Sequence, residues 1–332
     1  MTSSASKPRS KPSQSELNRR LVERSRPGNV AELLSLLDQG ADPAALDSLA
    51  IQAAAQEGHS ECVKLLIPAS DPKARDSYAL RASATAGHVE CVKLLIPVSN
   101  PAALDSLAIQ AAAQEGHSEC VKLLIPVSDP KARDSYPLRA SATAGHVECV
   151  KLLIPVSNPK ALDSSSLLMA AVGGHATCVE LLIPVSNPKA GESLALCAAA
   201  RNGHVECLRL LIPVSDPRAN DCKALLLSAE EGHVECARLL LPFSAPIQPE
   251  SPILLGAIIS EKLALVEALL DHSPALAPLI NLREIISKSP RANLMFKSSR
   301  RFMASLTSLV EQRSLDYELP MPTANGLGSP RL

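Results

Sequence analysis

The sequence predicts an all-α solenoid built from helix–turn–helix repeats. Three observations carry that prediction. The dipeptide Gly-His recurs at Gly58-His59, Gly87-His88, Gly116-His117, Gly145-His146, Gly174-His175, Gly203-His204 and Gly232-His233, always 29 residues apart, and a fixed period of about 20–50 residues marks a repeat architecture. The 332 residues are 46% hydrophobic but only 2% aromatic, without tryptophan, so the core is aliphatic. Each unit also carries two apolar stripes at helical spacing, separated by Gly-His and closed by proline.

From the N-terminus, residues 1–17 are rich in Ser, Lys and Pro and are expected to be disordered. A repeat array of about nine units follows over 18–275. Its regular units are Asp47–Arg75, Asp76–Leu104, Asp105–Arg133, Asp134–Leu162, Asp163–Gly191, Glu192–Asn220 and Asp221–Pro249. Diverged units at about 18–46 and 250–275 flank them, since the ends of a repeat stack need polar outer faces. Residues 47–104 and 105–162 differ only at Ala69/Val127, Ala79/Pro137 and Ala102/Lys160, so two units were copied as a pair.

Within Asp76–Leu104, Asp76 or Ser77 is placed to cap the first helix, and Pro137 of the sister unit suits a first turn. Leu80, Ser83 and Ala84 form its inward stripe at i, i+3 and i+4. Gly87 breaks it. A second helix is expected over Val89–Ile96, with Cys91, Leu94 and Leu95 inward. Glu90 and Lys93 are spaced to pair on its outer side, for about 0.2–0.5 kcal/mol, and Pro97 stops it. The connector Pro97-Val98-Ser99-Asn100-Pro101 is stiff, with a turn signal at Asn-Pro.

The C-terminal region differs in kind. Residues 276–312 are expected to form a helical cap. Within them, 291–312 are amphipathic, with Phe302, Leu306, Leu309 and Val310 on one side and Lys297, Arg300 and Arg301 nearby. Capping the stack is the main reading of that helix; a membrane or partner groove is the lesser one. Residues 313–332 are expected to be a disordered tail.

The net charge of −1 hides a pattern. Residues 1–28 carry seven Lys/Arg and two Glu, and 274–332 carry eight Lys/Arg against four acids. The middle, 29–273, carries 18 Lys/Arg against 28 Asp/Glu. An acidic array is the wrong surface for duplex DNA, so no nucleic-acid partner is expected. No apolar run of about 18 residues predicts a membrane span, and no secretory signal stands at the N-terminus. A cytoplasmic location, in the producing cell or in a host, is the expectation. Seven of the nine cysteines are one repeated position: Cys62, Cys91, Cys120, Cys149, Cys178, Cys207 and Cys236. Equivalent helices in a stack lie about 8–10 Å apart, too far for a disulfide, so these cysteines read as small core residues. The same spacing argues against a zinc site.

These units resemble the ankyrin repeat. Tyr136-Pro137-Leu138-Arg139 stands at the family's Thr-Pro-Leu-His opening, Ser141-Ala142 at its paired alanines, and Gly145-His146 matches directly. Val150-Lys151-Leu152-Leu153 matches the Val-x-x-Leu-Leu close with one residue fewer. Leu36-Leu37-Asp38-Gln39-Gly40-Ala41-Asp42-Pro43 is close to the family's Leu-Leu-x-x-Gly-Ala-Asp. The resemblance implies an all-α, ankyrin-like array whose concave face binds protein partners. The family period is 33 residues and this one is 29, and the deficit falls in the connector. The β-hairpin fingers are therefore expected to be short or absent.

The repeated histidines read as structural, closing turns through ring hydrogen bonds, because no nucleophile with an orienting acid is singled out beside any one of them. The repeated acids Asp47, Asp76, Asp105, Asp134, Asp163 and Asp221 read as helix caps, since acids about 10 Å apart cannot share one calcium ion. No cofactor, metal or catalytic residue is expected. The surface of the first helix is more informative. Its two outward positions run Gln52/Gln56, Arg81/Thr85, Gln110/Gln114, Arg139/Thr143, Leu168/Val172, Cys197/Arg201 and Leu226/Glu230. Apolar residues entering a polar face mark an interaction site. Leu168, Val172, Cys197, Arg201, Leu226 and Glu230 are therefore candidate partner contacts, with Tyr78, Arg81, Tyr136 and Arg139 as anchors in the first half. The function read from the sequence is a non-catalytic, monomeric protein-binding scaffold. The alternative is a secreted bacterial effector acting on host proteins, with a delivery signal in residues 1–28 and a basic targeting helix at the C-terminus.

Overall fold

The computed structural model describes residues 12–282 and 300–318. The expected disorder of 1–11 and 319–332, and the first part of the amphipathic segment, lie outside those residues. The chain divides into two compact units, Met1–Ser186 and Asn187–Leu332. Among the described residues every regular element is helical. The β-hairpin fingers are absent there, in line with the 29-residue period.

In the first unit the helices pair as α1 (Gln14–Ser25) with α2 (Val30–Asp38), α3 (Ala45–Gln56) with α4 (Ser60–Leu66), and α5 (Ala74–Thr85) with α6 (Val89–Leu95). The pairs α7 (Ala103–Gln114) with α8 (Ser118–Leu124), α9 (Ala132–Ala144) with α10 (Val147–Leu153), and α11 (Ala161–Gly173) with α12 (Ala176–Leu182) follow. The array begins earlier than expected. Ser13 accepts a hydrogen bond from the Glu16 amide at 3.3 Å, so residues 14–17 are helical rather than disordered. Ser13-x-x-Glu16 is a capping-box spacing that announces this start. Residues 14–28, half of the suggested delivery signal, thus belong to the first repeat.

The second unit contains α13 (Ala190–Arg201), α14 (Val205–Leu211), α15 (Ala219–Glu230), α16 (Val234–Leu240), α17 (Pro252–Ile259), α18 (Leu263–His272) and α19 (Arg300–Glu318). Helix α19 packs on α18 and on the 3₁₀ turn Pro274–Leu279. It buries Met303, Leu306 and Val310, while Phe302 and Leu309 of the expected stripe are half-buried, and Arg313 pairs with Asp271 at 2.7 Å. The helix extends six residues past 312, into the expected tail, and its apolar stripe serves the stack.

Both helices of each repeat face the core as their spacing requires. Leu80, Ser83 and Ala84 are fully buried, as are Cys91 and Leu95; Leu94, expected inward, is only half-buried, and Val92 is buried instead. Burying one such leucine stabilises the fold by about 1.5–3 kcal/mol. Glu90 and Lys93 pair at 2.7 Å, as do Glu148 and Lys151. Proline does not simply end the second helix. Helix α6 stops at Leu95 and tightens into a 3₁₀ turn, Ile96–Val98, with Pro97 in its first residues.

The connector holds the main departure from expectation. Arg75, Asp76 and Ser77 have φ of 51°, 55° and 58°, three successive residues in the left-handed region. The same triplet recurs at Leu46–Ser48, Leu104–Ser106, Arg133–Ser135, Leu162–Ser164, Gly191–Ser193 and Asn220–Cys222. The right-handed first helix starts only after it, which puts Pro137 in the first turn as expected. The repeated acids are exposed, and no side chain caps these helices. The capping expectation for Asp76 and its equivalents fails for that reason.

The serine of the triplet faces the next connector instead. Ser77 Oγ accepts the Asn100 amide at 2.8 Å, and Ser48, Ser106 and Ser135 accept the amides of Asp71, Asp129 and Asn158 at 2.8–2.9 Å. Ser99 Oγ donates back to the Pro72 carbonyl at 3.4 Å, and Asn100 Oδ1 accepts the Ala102 amide at 3.2 Å. This side-chain ladder joins neighbouring repeats where fingers would otherwise pair. The second unit repeats it once, with Ser193 Oγ accepting the Asp216 amide at 2.9 Å and Ser215 Oγ donating to the Pro188 carbonyl at 3.3 Å.

A left-handed non-glycine residue costs about 1–2 kcal/mol. Leu162, with φ 47°, is 57% exposed, so it recovers little of that cost through packing. Glycine already stands at the equivalent Gly191, with φ 53°. Leu162→Gly is expected to stabilise the chain by about 0.5–1 kcal/mol after the entropy of glycine is subtracted. Thermal unfolding checks this, and a lower melting temperature counts against a strained turn.

Candidate partner-binding surface

The Gly-His residues link one repeat to the next. Each glycine ends its first helix in the left-handed conformation, Gly87 with φ 77°, and the following amide closes the turn, His88 N–H to Ser83 O at 2.9 Å. The imidazole reaches backwards by one repeat. Nε2–H of His88, His117, His146 and His175 donates to the carbonyls of Gln56, Thr85, Gln114 and Thr143, each at 3.0 Å. A carbonyl only accepts, which sets the tautomer. The ring also lies against the preceding repeat's glycine, where an added Cβ at Gly58 would stand 2.5 Å from His88 Nδ1. The structural reading of these histidines holds, with one change: the bond crosses repeats rather than closing the histidine's own turn.

The cysteines are core residues. Cys62, Cys91, Cys120, Cys149, Cys178, Cys207 and Cys236 are buried and unbridged. Burial pushes the thiols of Cys91, Cys120, Cys149 and Cys236 up to about 11, which keeps them protonated and unreactive near neutral pH. Among the described residues no group of three His, Cys, Asp or Glu side chains is placed to hold a metal. No helix there is long and apolar enough to cross a membrane.

The two outward positions of the first helix are not equivalent. Residues i and i+4 lie about 40° apart around a helix, enough to put one at the seam between repeats and the other in solvent. In the first unit the i+4 residues Gln56, Thr85, Gln114, Thr143 and Val172 are all exposed, Val172 at 41%. At position i, Arg81, Arg139 and Leu168 are half-buried, while Gln52 and Gln110 are 2% and 1% exposed. The two glutamines turn inward because each amide nitrogen donates to the carbonyl of its own left-handed turn, Asp47 at 2.6 Å and Asp105 at 2.5 Å. In the second unit Arg201 and Glu230 are exposed and Leu226 is half-buried. Cys197 is only 6% exposed. The expectation that Cys197, Gln52 and Gln110 present themselves outward is corrected, and Leu168 and Leu226 are half-buried.

What the sequence did not reveal is how the aromatic residues are held. The Arg81 guanidinium stacks 5.0 Å above the Tyr78 ring, and that of Arg139 stacks 5.1 Å above Tyr136. Each pair sits at i, i+3 on one helix face, and Tyr136 also donates to Gln114 Oε1 of the preceding repeat at 3.3 Å. Gln56, Glu57, Tyr78, Arg81 and Thr85 line an open depression of about 440 Å³. An i, i+3 Tyr–Arg spacing is a legible signal for this stacking.

Within each unit, helical pairs recurring at a fixed period and packed on their neighbours define an all-α repeat solenoid. Such a protein works through an extended surface rather than a cleft. The family model described as Ankyrin repeats (3 copies) matches residues 24–106, 51–134, 108–192, 167–251 and 196–281. The chain belongs to the ankyrin-repeat family. Ankyrin repeats generally mediate protein–protein interaction and are typically non-catalytic. A comparison with curated proteins finds no match.

Proposed function

We propose that the chain is a non-catalytic scaffold that binds a protein partner through the exposed side of its first helices. The observation that carries this reading is the pair of Tyr–Arg stacks. A guanidinium held on an aromatic face is an anchor fixed before binding, so little side-chain entropy is lost on contact, and tyrosine and arginine dominate binding hot spots. In the first unit the proposed contacts are Tyr78, Arg81, Tyr136, Arg139 and Val172, with Leu168 at their margin. In the second they are Arg201 and Glu230, with Leu226 half-covered.

Affinity capture by the full chain, compared with the Arg81→Ala/Arg139→Ala variant, tests the reading. Removal of two anchors is expected to weaken partner retention about tenfold or more. The melting temperature should stay nearly unchanged, since both arginines are part-exposed. Arg201→Glu probes the second unit separately. Unchanged recovery of every partner by both variants would sink the proposal.

A further inference from the structure

The two Tyr–Arg stacks leave the edges of both guanidinium groups unused. Stacking on Tyr78 and Tyr136 occupies one flat face of Arg81 and of Arg139, at 5.0 and 5.1 Å. The N–H donors of a guanidinium lie in its plane, in a fork that fits a carboxylate. Among the described residues neither arginine meets an acid, whereas Lys93, Lys151 and Arg209 each pair with a glutamate of their own helix.

Arg139 is the more exacting case. Its Nη1 is buried and has no hydrogen-bond partner, although the side chain as a whole is part-exposed. The charge is thus partly stripped of water and not compensated by the chain, which is costly. A carboxylate on the exposed edge of the same guanidinium would compensate it. Duplication accounts for the second stack but not for this nitrogen, which has no counterpart at Arg81. The neighbouring repeat is what differs. The position after Arg81 is Gln110, and the position after Arg139 is Leu168, with Val172 exposed one turn on.

Taking the first-helix face as the docking surface, and resting on that reading, we infer that its occupant is an extended acidic segment of the partner. One carboxylate sits on Arg81, a second on Arg139, and an apolar side chain follows against Leu168 and Val172. Neighbouring repeats about 8–10 Å apart put the two arginines about 16–20 Å apart. An extended chain rises about 3.3 Å per residue, so the acids stand about five to six residues apart and the apolar residue about three further on. A chain has one C-terminus, so two sites of this kind call for side-chain acids. Glu57 and Glu115 are exposed at the ends of α3 and α7, and Glu57 borders the depression that holds Arg81. They balance the arginines, so spacing decides binding rather than overall charge, and a doubly charged phosphate is disfavoured beside them.

Fluorescence anisotropy of labelled peptides with the full chain tests this. The parent peptide carries two glutamates about six residues apart in a Ser/Gly background and a leucine about three residues on, made in both chain directions; the tighter is used. Glu→Gln at either acid is expected to weaken binding about tenfold, as is bringing the two acids next to each other. Leu→Ser is expected to cost about fivefold. Arg139→Glu is expected to lose the parent peptide and to bind one with lysine at the second acid, a rescue that loss of folding could not produce. A parent peptide bound no better than its Gln or adjacent-acid forms, an Arg139→Glu chain that binds it unchanged, or tighter binding when phosphoserine replaces glutamate overturns the inference. If the peptides fail while a captured partner still depends on Arg81 and Arg139, the acidic chemistry falls and the binding face stands. If that dependence is also missing, both fall.

Discussion

Gly87→Ala is expected to destabilise the chain by about 2–3 kcal/mol. Two costs combine. A non-glycine residue held at φ 77° loses about 1–2 kcal/mol. The new Cβ would also lie 2.5 Å from His117 Nδ1, so the ring must move and its 3.0 Å bond to the Thr85 carbonyl breaks, for about 1 kcal/mol more. Gly40 provides the comparison: its φ is 92°, and nothing lies within 4 Å of an added Cβ. Gly40→Ala should therefore show only the backbone cost. Urea unfolding measures both. A Gly87→Ala/His117→Ala double mutant should recover the steric part, as coupled neighbours do. Equal costs at Gly87 and Gly40 would remove the histidine ring from the account.

Excision of residues 47–104 is expected to leave a folded, shorter protein. Each contact across the first regular interface has an identical replacement. Arg26 O accepts the His59 ring at 2.6 Å and Pro43 O accepts Ser70 Oγ at 3.4 Å; after excision His117 and Ser128 take those places. Gly28, whose added Cβ would meet the His59 ring at 2.4 Å, would face the His117 ring instead. The new junction, Leu46-Asp105, copies the native Leu46-Asp47 and Leu104-Asp105. Helical signal should fall with the lost residues while unfolding stays cooperative, because stability in repeat arrays sums over units and their interfaces. An out-of-phase excision of 47–100 breaks the register and should yield a poorly folded chain by circular dichroism. If both excisions behave alike, register-specific contacts do not govern assembly.

Much of this follows from local rules. Gly-His can be read as a helix end because only glycine takes the left-handed cap freely. The repeated cysteine can be read as core because it falls on the apolar stripe with Leu95 and its equivalents. The left-handed triplet was also partly legible, since Gly191 and Asn220 are the residue types that such a position favours. Its Leu and Arg occupants mask the signal, because nothing local favours them there.

The period, the helix pairs, the aliphatic core and the shortened connector were determined by the sequence alone, since each depends on spacing along the chain. Only the tertiary structure decided which helix positions reach solvent. Gln52 and Arg81 hold the same helix position and both look like surface residues by type, yet one folds back onto its own connector and the other lies over the Tyr78 ring. That difference depends on contacts with neighbouring turns and repeats, and a single helix period cannot encode it. The same holds for Ser77 and the histidine rings: their partners lie 23 and 32 residues away, and stacking alone brings them together.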